Sequence, residues 1–206
     1  KKTAGIILTW NQKPINTVYH ATNGGVMASV EEAWSIDQVP YLQMRLDGPK
    51  EWSLGVDLPL SNEKNLKTFL FSESEAFGSD HPLFRWERTL DSSQIFKQLN
   101  QAQKVSNSFF PKKIKVVNRG SSGRVTTLQI EGHKGSDIFL KLDDIRRVLK
   151  QLPSTLFVVK EIKEGKWLFS GGGFGHGAGM SQSGAINLAK NGWTTKQILS
   201  HYYPKT

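Results

Sequence analysis

Nine consecutive residues, Gly171-Gly172-Gly173-Phe174-Gly175-His176-Gly177-Ala178-Gly179, contain six glycines, and that density limits what the surrounding chain can be. Glycine loses more conformational freedom on folding than any other residue, roughly 0.5–1 kcal/mol relative to alanine in a regular element. Such a segment belongs where backbone comes very close to another group, or where φ is positive at several positions. Beyond it the spacing predicts a helix with Ala185, Leu188 and Ala189 on one face, ended by Asn191-Gly192. Free N–H groups and the dipole at the start of that helix favour an anion. His176, with small neighbours on both sides, is expected to face a cleft.

Four readings of this loop compete. The first is dinucleotide binding. Gly173, Gly175 and Ala178 satisfy a relaxed G-x-G-x-x-A spacing, but the fingerprint also wants an acidic residue about 20 positions on. No Asp or Glu occurs after Glu164. A Walker A sequence is missing as well. The second is a serine hydrolase, because Ser181 and Ser183 lie near His176. The spacing of Gly179-Met180-Ser181-Gln182-Ser183-Gly184 does not make the G-x-S-x-G elbow. The third is a cleft for a polysaccharide or wall polymer, in which His176, Ser181 and Gln182 offer neutral donors and acceptors to hydroxyls and amides. The fourth is a purely structural loop that lets two elements cross closely.

The remaining chain supplies ordinary material for one folded unit spanning 1–206. With 206 residues, 37% hydrophobic and 22% charged, it buries a core and is not a disordered composition. No apolar run is long enough to span a membrane as a helix. The first residue is Lys1 rather than Met, so the absence of a leader carries no information about compartment. There is no cysteine, which excludes disulfides, cysteine-based zinc sites and cysteine nucleophiles. A net charge of +9 suits a polyanion such as nucleic acid, anionic lipid or the acidic bacterial wall, or simply solubility. The densest basic cluster, Lys112-Lys113-Ile114-Lys115, has no interleaved aromatic platform, which argues against a nucleic-acid reader.

Local patterns predict a mixed α+β fold. Residues 5–10 read as a buried strand, Asn11 to Pro14 as a turn, and Ile15 to Thr22 as the returning strand of a hairpin. Glu31 to Ser35 suggests a helical turn, Tyr41 to Leu46 a strand and Asn62 to Phe71 a helix. Ser72 to His81 reads as loop and Leu83 to Leu90 as a strand. Asp91 caps a helix carrying Ile95, Phe96, Leu99 and Ala102. Ile114 to Asn118 and Val125 to Glu131 form a hairpin, and Asp143-Asp144 opens a helix. Leu156 to Ile162 pairs with Lys166 to Phe169, and Thr194 or Thr195 caps a last helix. Strands and helices do not alternate strictly, hence α+β.

The run Gly175-His176-Gly177-Ala178-Gly179-Met180-Ser181-Gln182-Ser183-Gly184-Ala185, followed by Ala189, Gly192, Ile198-Leu199 and His201-Tyr202-Tyr203-Pro204, resembles the C-terminal signature of the SpoIID/LytB family. The common family form has an aromatic residue where Ser183 stands. Upstream, residues 5–10 with Pro14-Ile15, Tyr19-His20-Ala21-Thr22-Asn23-Gly24-Gly25, Trp34, Pro40-Tyr41-Leu42, Ser122-Gly123-Arg124-Val125 and Ser154-Thr155-Leu156-Phe157 are also similar to it. The resemblance is weakest between Glu51 and Leu83. It implies an extracytoplasmic peptidoglycan-active module with no cofactor. Its partners would be glycan strands, in some members also an N-acetylmuramoyl-L-alanine amidase. Some members are lytic transglycosylases, in which one carboxyl protonates the glycosidic oxygen and then accepts the 6-hydroxyl proton as the anhydro ring closes. The family's catalytic glutamate belongs to a helix motif absent from this chain. No catalytic residue is therefore assigned here, and the sequence is expected to be a fragment.

The resemblance and the residue types together make Tyr19, His20, Arg124, His176, Gly177, Ser181 and Gln182 the substrate-binding candidates. Arg124 suits a carboxylate through its planar fork, or is a surface arginine. His20 either lines the cleft with His176 or is a half-buried, satisfied side chain. Glu31 and Glu32 read as the solvated start of a helix, Tyr202 and Tyr203 as packing residues, and most of the six tryptophans as core. Some family members carry a metal bound by His and Cys near His20. Asn23 stands where a cysteine is expected, so elemental analysis of the purified protein is expected to find no stoichiometric zinc.

Overall fold

The computed structural model describes residues 5–206, so the chain start at Lys1-Lys2 lies outside the described residues. Its elements run in the order β1 (Thr9–Trp10), β2 (Lys13–Pro14), β3 (Tyr19–His20), β4 (Val26–Met27), α1 (Val30–Ala33), β5 (Arg45–Leu46), α2 (Lys50–Leu54), α3 (Glu63–Phe71), β6 (Arg85–Asp91), α4 (Ser92–Gln101), β7 (Pro111–Arg119), β8 (Val125–Gly132), β9 (Ile138–Lys141), α5 (Asp144–Val148), β10 (Phe157–Lys163), β11 (Lys166–Gly172), β12 (Met180–Ser181), α6 (Gln182–Lys190) and α7 (Thr195–Tyr202). The mixture is α+β. Two antiparallel three-stranded sheets, ordered β10-β11-β6 and β7-β8-β9, carry most of the strand pairing.

The largest core lies where these sheets meet α4 and α5. Strand alternation puts Leu128 and Ile130 of β8 inward, and helical spacing does the same for Ile95 and Leu99 of α4. They close on Trp86, Phe157, Trp167 and Phe169, with Phe157 and Phe169 edge to face at 5.3 Å. A second cluster buries Leu66, Phe69 and Leu70 of α3 against Val26, Leu60 and Leu156. A third joins the N-terminal block to the C-terminal helices through Met27, Val30, Leu188, Tyr202 and Tyr203. This third cluster anchors the segment that follows the glycine loop, through Met180, Ala185 and Leu188, while Trp167 and Phe169 of β11 hold the preceding strand in the first cluster.

Several sequence expectations are corrected. Residues 5–10 do not form a buried strand. Only Thr9–Trp10 pairs, and Ile6 and Ile7 are 65% and 67% exposed. The hairpin is real but short: Thr9 faces Pro14 across Asn11 and Gln12, both at positive φ, as a tight two-residue turn requires. The chain then leaves the hairpin, and Tyr19–His20 pairs parallel with Met180–Ser181. That partner is remote in sequence, so hairpin logic could not find it. Of Tyr41 to Leu46 only Arg45–Leu46 is strand, paired with Val26–Met27. Strand β9, paired with β8, has four residues, too few to show a period. Among the six tryptophans only Trp86 and Trp167 are fully buried.

Helix α4 begins with a complete capping box. The Asp91 carboxylate accepts from the Gln94 N–H at 2.8 Å, and the Gln94 side chain accepts from the Asp91 N–H at 3.0 Å. Asp91→Ala is expected to lower the unfolding free energy by about 1 kcal/mol, read from the shift of a urea denaturation midpoint at unchanged slope.

Candidate functional site around the glycine loop

The glycine loop runs alongside residues 18–28 for most of its length. Phe174 N–H donates to Thr22 O at 2.7 Å, Ala28 N–H to Gly177 O at 2.9 Å, Met180 N–H to Val18 O at 3.1 Å and Ser183 N–H to Ala21 O at 3.0 Å. The contact is backbone on backbone. A Cβ on Gly24 would meet the Gly172 carbonyl carbon at 2.8 Å, and one on Gly179 would meet Val18 O at 2.1 Å. Glycines are required because two chain segments pass without room for side chains. The loop amides of Gly173 and Gly175 also donate, to Leu83 O and Pro153 O. These amides are therefore committed to protein carbonyls, which disfavours the phosphate-cradle reading.

Beneath the loop lies Arg124, fully buried. Its guanidinium donates to Val26 O at 3.1 Å, Asn23 O at 2.9 Å and Ser122 Oγ at 3.3 Å. Gly177, at φ +85°, sits so close that a Cβ there would fall 2.2 Å from the guanidinium. Burial pulls the guanidinium down to about 10, with the Glu32 carboxylate opposing the shift, so Arg124 stays charged at neutral pH. The expectations for Arg124 and Gly177 as ligand contacts are corrected: both are interior, and together they hold the crossing. Glu32 is corrected too. It is buried, and its Oε1 accepts from the Ser122 N–H and the Ser121 hydroxyl, each at 3.0 Å. A second cation, Arg85, clips the same region from the side, donating to Gly24 O at 2.9 Å and Leu70 O at 3.0 Å while stacked 4.3 Å over Phe84.

The two histidines meet edge to face, with centroids 5.2 Å apart. His176 Nε2 donates to Tyr19 O at 2.9 Å, and Nδ1 accepts from the Ala178 N–H at 3.2 Å. Both ring nitrogens are therefore engaged with backbone, while Trp34 packs on the ring at 4.6 Å. His20 is buried and places Nδ1 3.1 Å from Ala178 O, so Nδ1 carries the proton. Its Nε2 is buried without a protein partner. Burial holds His20 well below its ordinary value, helped by His176 and Arg124. Burial also lowers His176, against the pull of the Tyr19 carbonyl. Both imidazoles are neutral at pH 7.

A second buried network anchors the helix that follows. Asp47, wholly buried, accepts from Asn23 Nδ2 at 2.6 Å, His201 Nε2 at 2.7 Å and the Tyr202 hydroxyl at 3.1 Å. Sequence reasoning missed Asp47, because a single aspartate between Leu46 and Gly48 carries no pattern. Tyr203 donates to Val18 O at 2.7 Å. Ser181 is a correction: it is fully buried and caps α6, accepting from the Gly184 N–H at 3.2 Å. Asn23 has its amide nitrogen on Asp47 and its Oδ1 on the Gly25 N–H at 2.8 Å. A histidine-plus-cysteine metal site does not fit this block, since the residue in the cysteine's place is already bonded on both ends.

Open to solvent around the crossing are Tyr19 at 60%, Phe174 at 43% and Gln182. Trp34 is half-buried and borders a cleft of about 210 Å³ that also touches Lys141, Asp144 and Arg147. Of the candidates named from sequence, Tyr19 and Gln182 therefore face outward. His176 is half-exposed with its nitrogens engaged, and the other four are interior.

Comparison with known proteins adds one family match and three curated relatives. Residues 28–179 match the family described as a domain of unknown function, DUF8618. The chain is 28% identical over 230 aligned positions to the amidase enhancer of Bacillus subtilis (strain 168), covering 100% of this chain and 31% of that protein. It is 27% identical over 208 positions to stage II sporulation protein D of the same organism, covering 99% and 48%. The corresponding protein of Bacillus amyloliquefaciens is 29% identical over 208 positions, covering 98% and 47%. The chain thus spans half or less of the length of these curated relatives.

Two outcomes follow from the geometry. Gly177→Ala, strained in φ and overlapping a buried cation, is expected to lose about 2–4 kcal/mol of stability in urea denaturation. For His20 the unfolded side chain titrates near 6.5 and the folded one lower, so between those values the unfolded state binds more protons. Stability therefore falls as pH drops from about 7 towards 5. His20→Asn, which keeps a donor for Ala178 O and removes its titration, is expected to reduce that dependence, leaving the share of His176, when denaturation midpoints are compared at both pH values.

Proposed function

Because the chain belongs to the DUF8618 family and is SpoIID/LytB-like over its whole length, we propose that it is a peptidoglycan-active portion of a bacterial envelope protein, working outside the cytoplasm. Its role is to hold glycan for a lytic transglycosylase that cuts peptide-stripped strands and leaves 1,6-anhydro ends. The observation that carries this reading is the inversion of polarity around the glycine loop. Most polar groups of the crossing point inward, while Tyr19 and Phe174 are offered to solvent beside the half-buried Trp34. Aromatic faces with few polar groups between them suit sugar rings, which present C–H faces to stack on and hydroxyls to bond at the edge. A surplus of nine positive charges draws the protein to an acidic polymer.

The reaction needs a carboxyl free to deliver a proton and take one back. Asp47 is buried with donors on both oxygens, Glu32 is buried with Oε1 engaged and Oε2 enclosed away from solvent, and Asp143 is held by Arg146 and Arg147 at 2.6 and 3.0 Å. With the acidic helix motif that the family resemblance calls for absent from these 206 residues, the proton-transferring glutamate is proposed to lie outside them. A second reading, a non-catalytic wall-binding module that stimulates an N-acetylmuramoyl-L-alanine amidase, draws support from the match to the amidase enhancer across this entire chain and from the same occupied carboxylates.

The test is incubation of peptide-free glycan strands with this chain and with the product of the complete gene, followed by mass spectrometry. Binding by both, with 1,6-anhydro ends from the complete product alone, is the expected result. Binding without cleavage by either, together with faster peptide release when a wall amidase is added, selects the second reading. No binding by either would overturn both.

A further inference from the structure

A separate cavity of about 460 Å³ lies along the outer face of α6. One wall is the helix, through Gln182, Asn187 and Lys190, with Ile186 between them. The other is the turn Asp80-His81-Pro82, and Ala21 and Ser183 also line it. It adjoins the glycine-loop crossing at the Ser183–Ala21 hydrogen bond, and the crossing accounts for none of its other lining residues. The inward face of α6 already does the packing, through Leu188 at the centre of the third core cluster. The cavity-facing residues are instead exposed or half-exposed.

The chemistry of the walls is specific. Gln182 and Asn187 each present a side-chain amide, which pairs donor-to-acceptor with another amide. Ile186 and Ala21 provide apolar surface of methyl size. Lys190 supplies one ammonium, a point charge for an anion. His81 Nδ1 accepts the Leu83 N–H at 3.0 Å, so Nε2 holds the proton and is a neutral donor. Asp80, a carboxylate on the turn wall, accepts from a hydroxyl and repels an anion beside it, so an anion's place in the cavity is at Lys190 on the helix wall. Among the described lining residues there is no Trp, Tyr or Phe, so ring stacking is left to Tyr19, Phe174 and Trp34.

We propose that this cavity is a subsite for a sugar unit bearing both an acetamido group and a free carboxylate, with the acetamido held by Gln182 and Asn187 over Ile186 and the carboxylate paired to Lys190. The assignment rests on the glycan-holding reading above and gives it a specificity determinant. A strand whose carboxylates are still tied up as amides loses the ion pair and brings extra bulk to the rim. A stripped strand offers the charge. Preference for stripped glycan then resides in a lysine on α6 rather than in the aromatic surface near the loop.

The experiment uses the 206-residue chain and soluble peptide-free glycan fragments in two forms, one with free carboxylates and one with them converted to N-methylamides, titrated by calorimetry at low salt. The proteins are wild type, Lys190→Glu, Gln182→Ala/Asn187→Ala, and Lys160→Glu as a control of equal charge on the exposed face of β10. Wild type is expected to bind the free-acid form about twofold to fivefold more tightly than the amide form, the size of an ion pair to an exposed lysine at low salt. Lys190→Glu should abolish that preference, the double variant should weaken both forms about equally, and Lys160→Glu should leave the preference intact. Equal binding of both forms by wild type, or a preference that survives Lys190→Glu, would overturn the subsite while leaving the glycan-holding reading in place. Failure of wild type to bind either form would remove that reading and the subsite with it.

Discussion

One close passage of backbone over backbone organises this protein. Residues 172–181 lie on residues 18–28 so tightly that a Cβ at Gly24, Gly173 or Gly179 would intersect main-chain atoms. Such a contact has no side chains to provide hydrophobic burial, so other groups must stabilise it. Ladder hydrogen bonds do part of this, and the buried cations do the rest. Arg124 bonds the carbonyls of Asn23 and Val26 from below, and Arg85 bonds that of Gly24 from the side. A charge so placed is tolerated because Nη1 and Nη2 meet two carbonyls and the Ser122 hydroxyl, and Glu32 is near enough to oppose the effect of burial.

The same constraint explains the division between interior and exterior chemistry. Groups that look functional in the sequence, Arg124, His20 and Ser181, are drawn inside because the crossing has many main-chain groups to satisfy. His176 clips the crossing shut by giving one nitrogen to Tyr19 O and the other to the Ala178 N–H. What remains outside is aromatic surface from Tyr19 and Phe174 on one side and the polar outer face of α6 on the other. The aromatic surface and the polar surface are thereby held on different walls by the crossing between them.

The Asp47 network extends this logic to the C-terminus. A single buried carboxylate gathers Asn23 from the N-terminal block and His201 and Tyr202 from α7. The angle of α6, and with it the cavity on its outer face, depends on that junction, since Gly184 lies against the Tyr202 hydroxyl and Asp47. Buried polar junctions of this kind specify one arrangement, because any other leaves charges unpaired.

Much of the fold was legible in the chain itself. The capping aspartate before Ile95 and Leu99, the hairpin of β7 and β8 and the pairing of β10 with β11 all rest on neighbours close in sequence, where period and turn chemistry decide. Six glycines in nine residues also announced a close approach before any partner was known. The sequence could not say which face each candidate side chain would take. Whether Arg124 meets solvent or a carbonyl, and whether Ile6 is core or surface, depends on segments more than a hundred residues away. Local sequence determines what a segment can form; only the tertiary structure decides what it lies against, because burial and hydrogen-bond partners are set by contacts with no local signature.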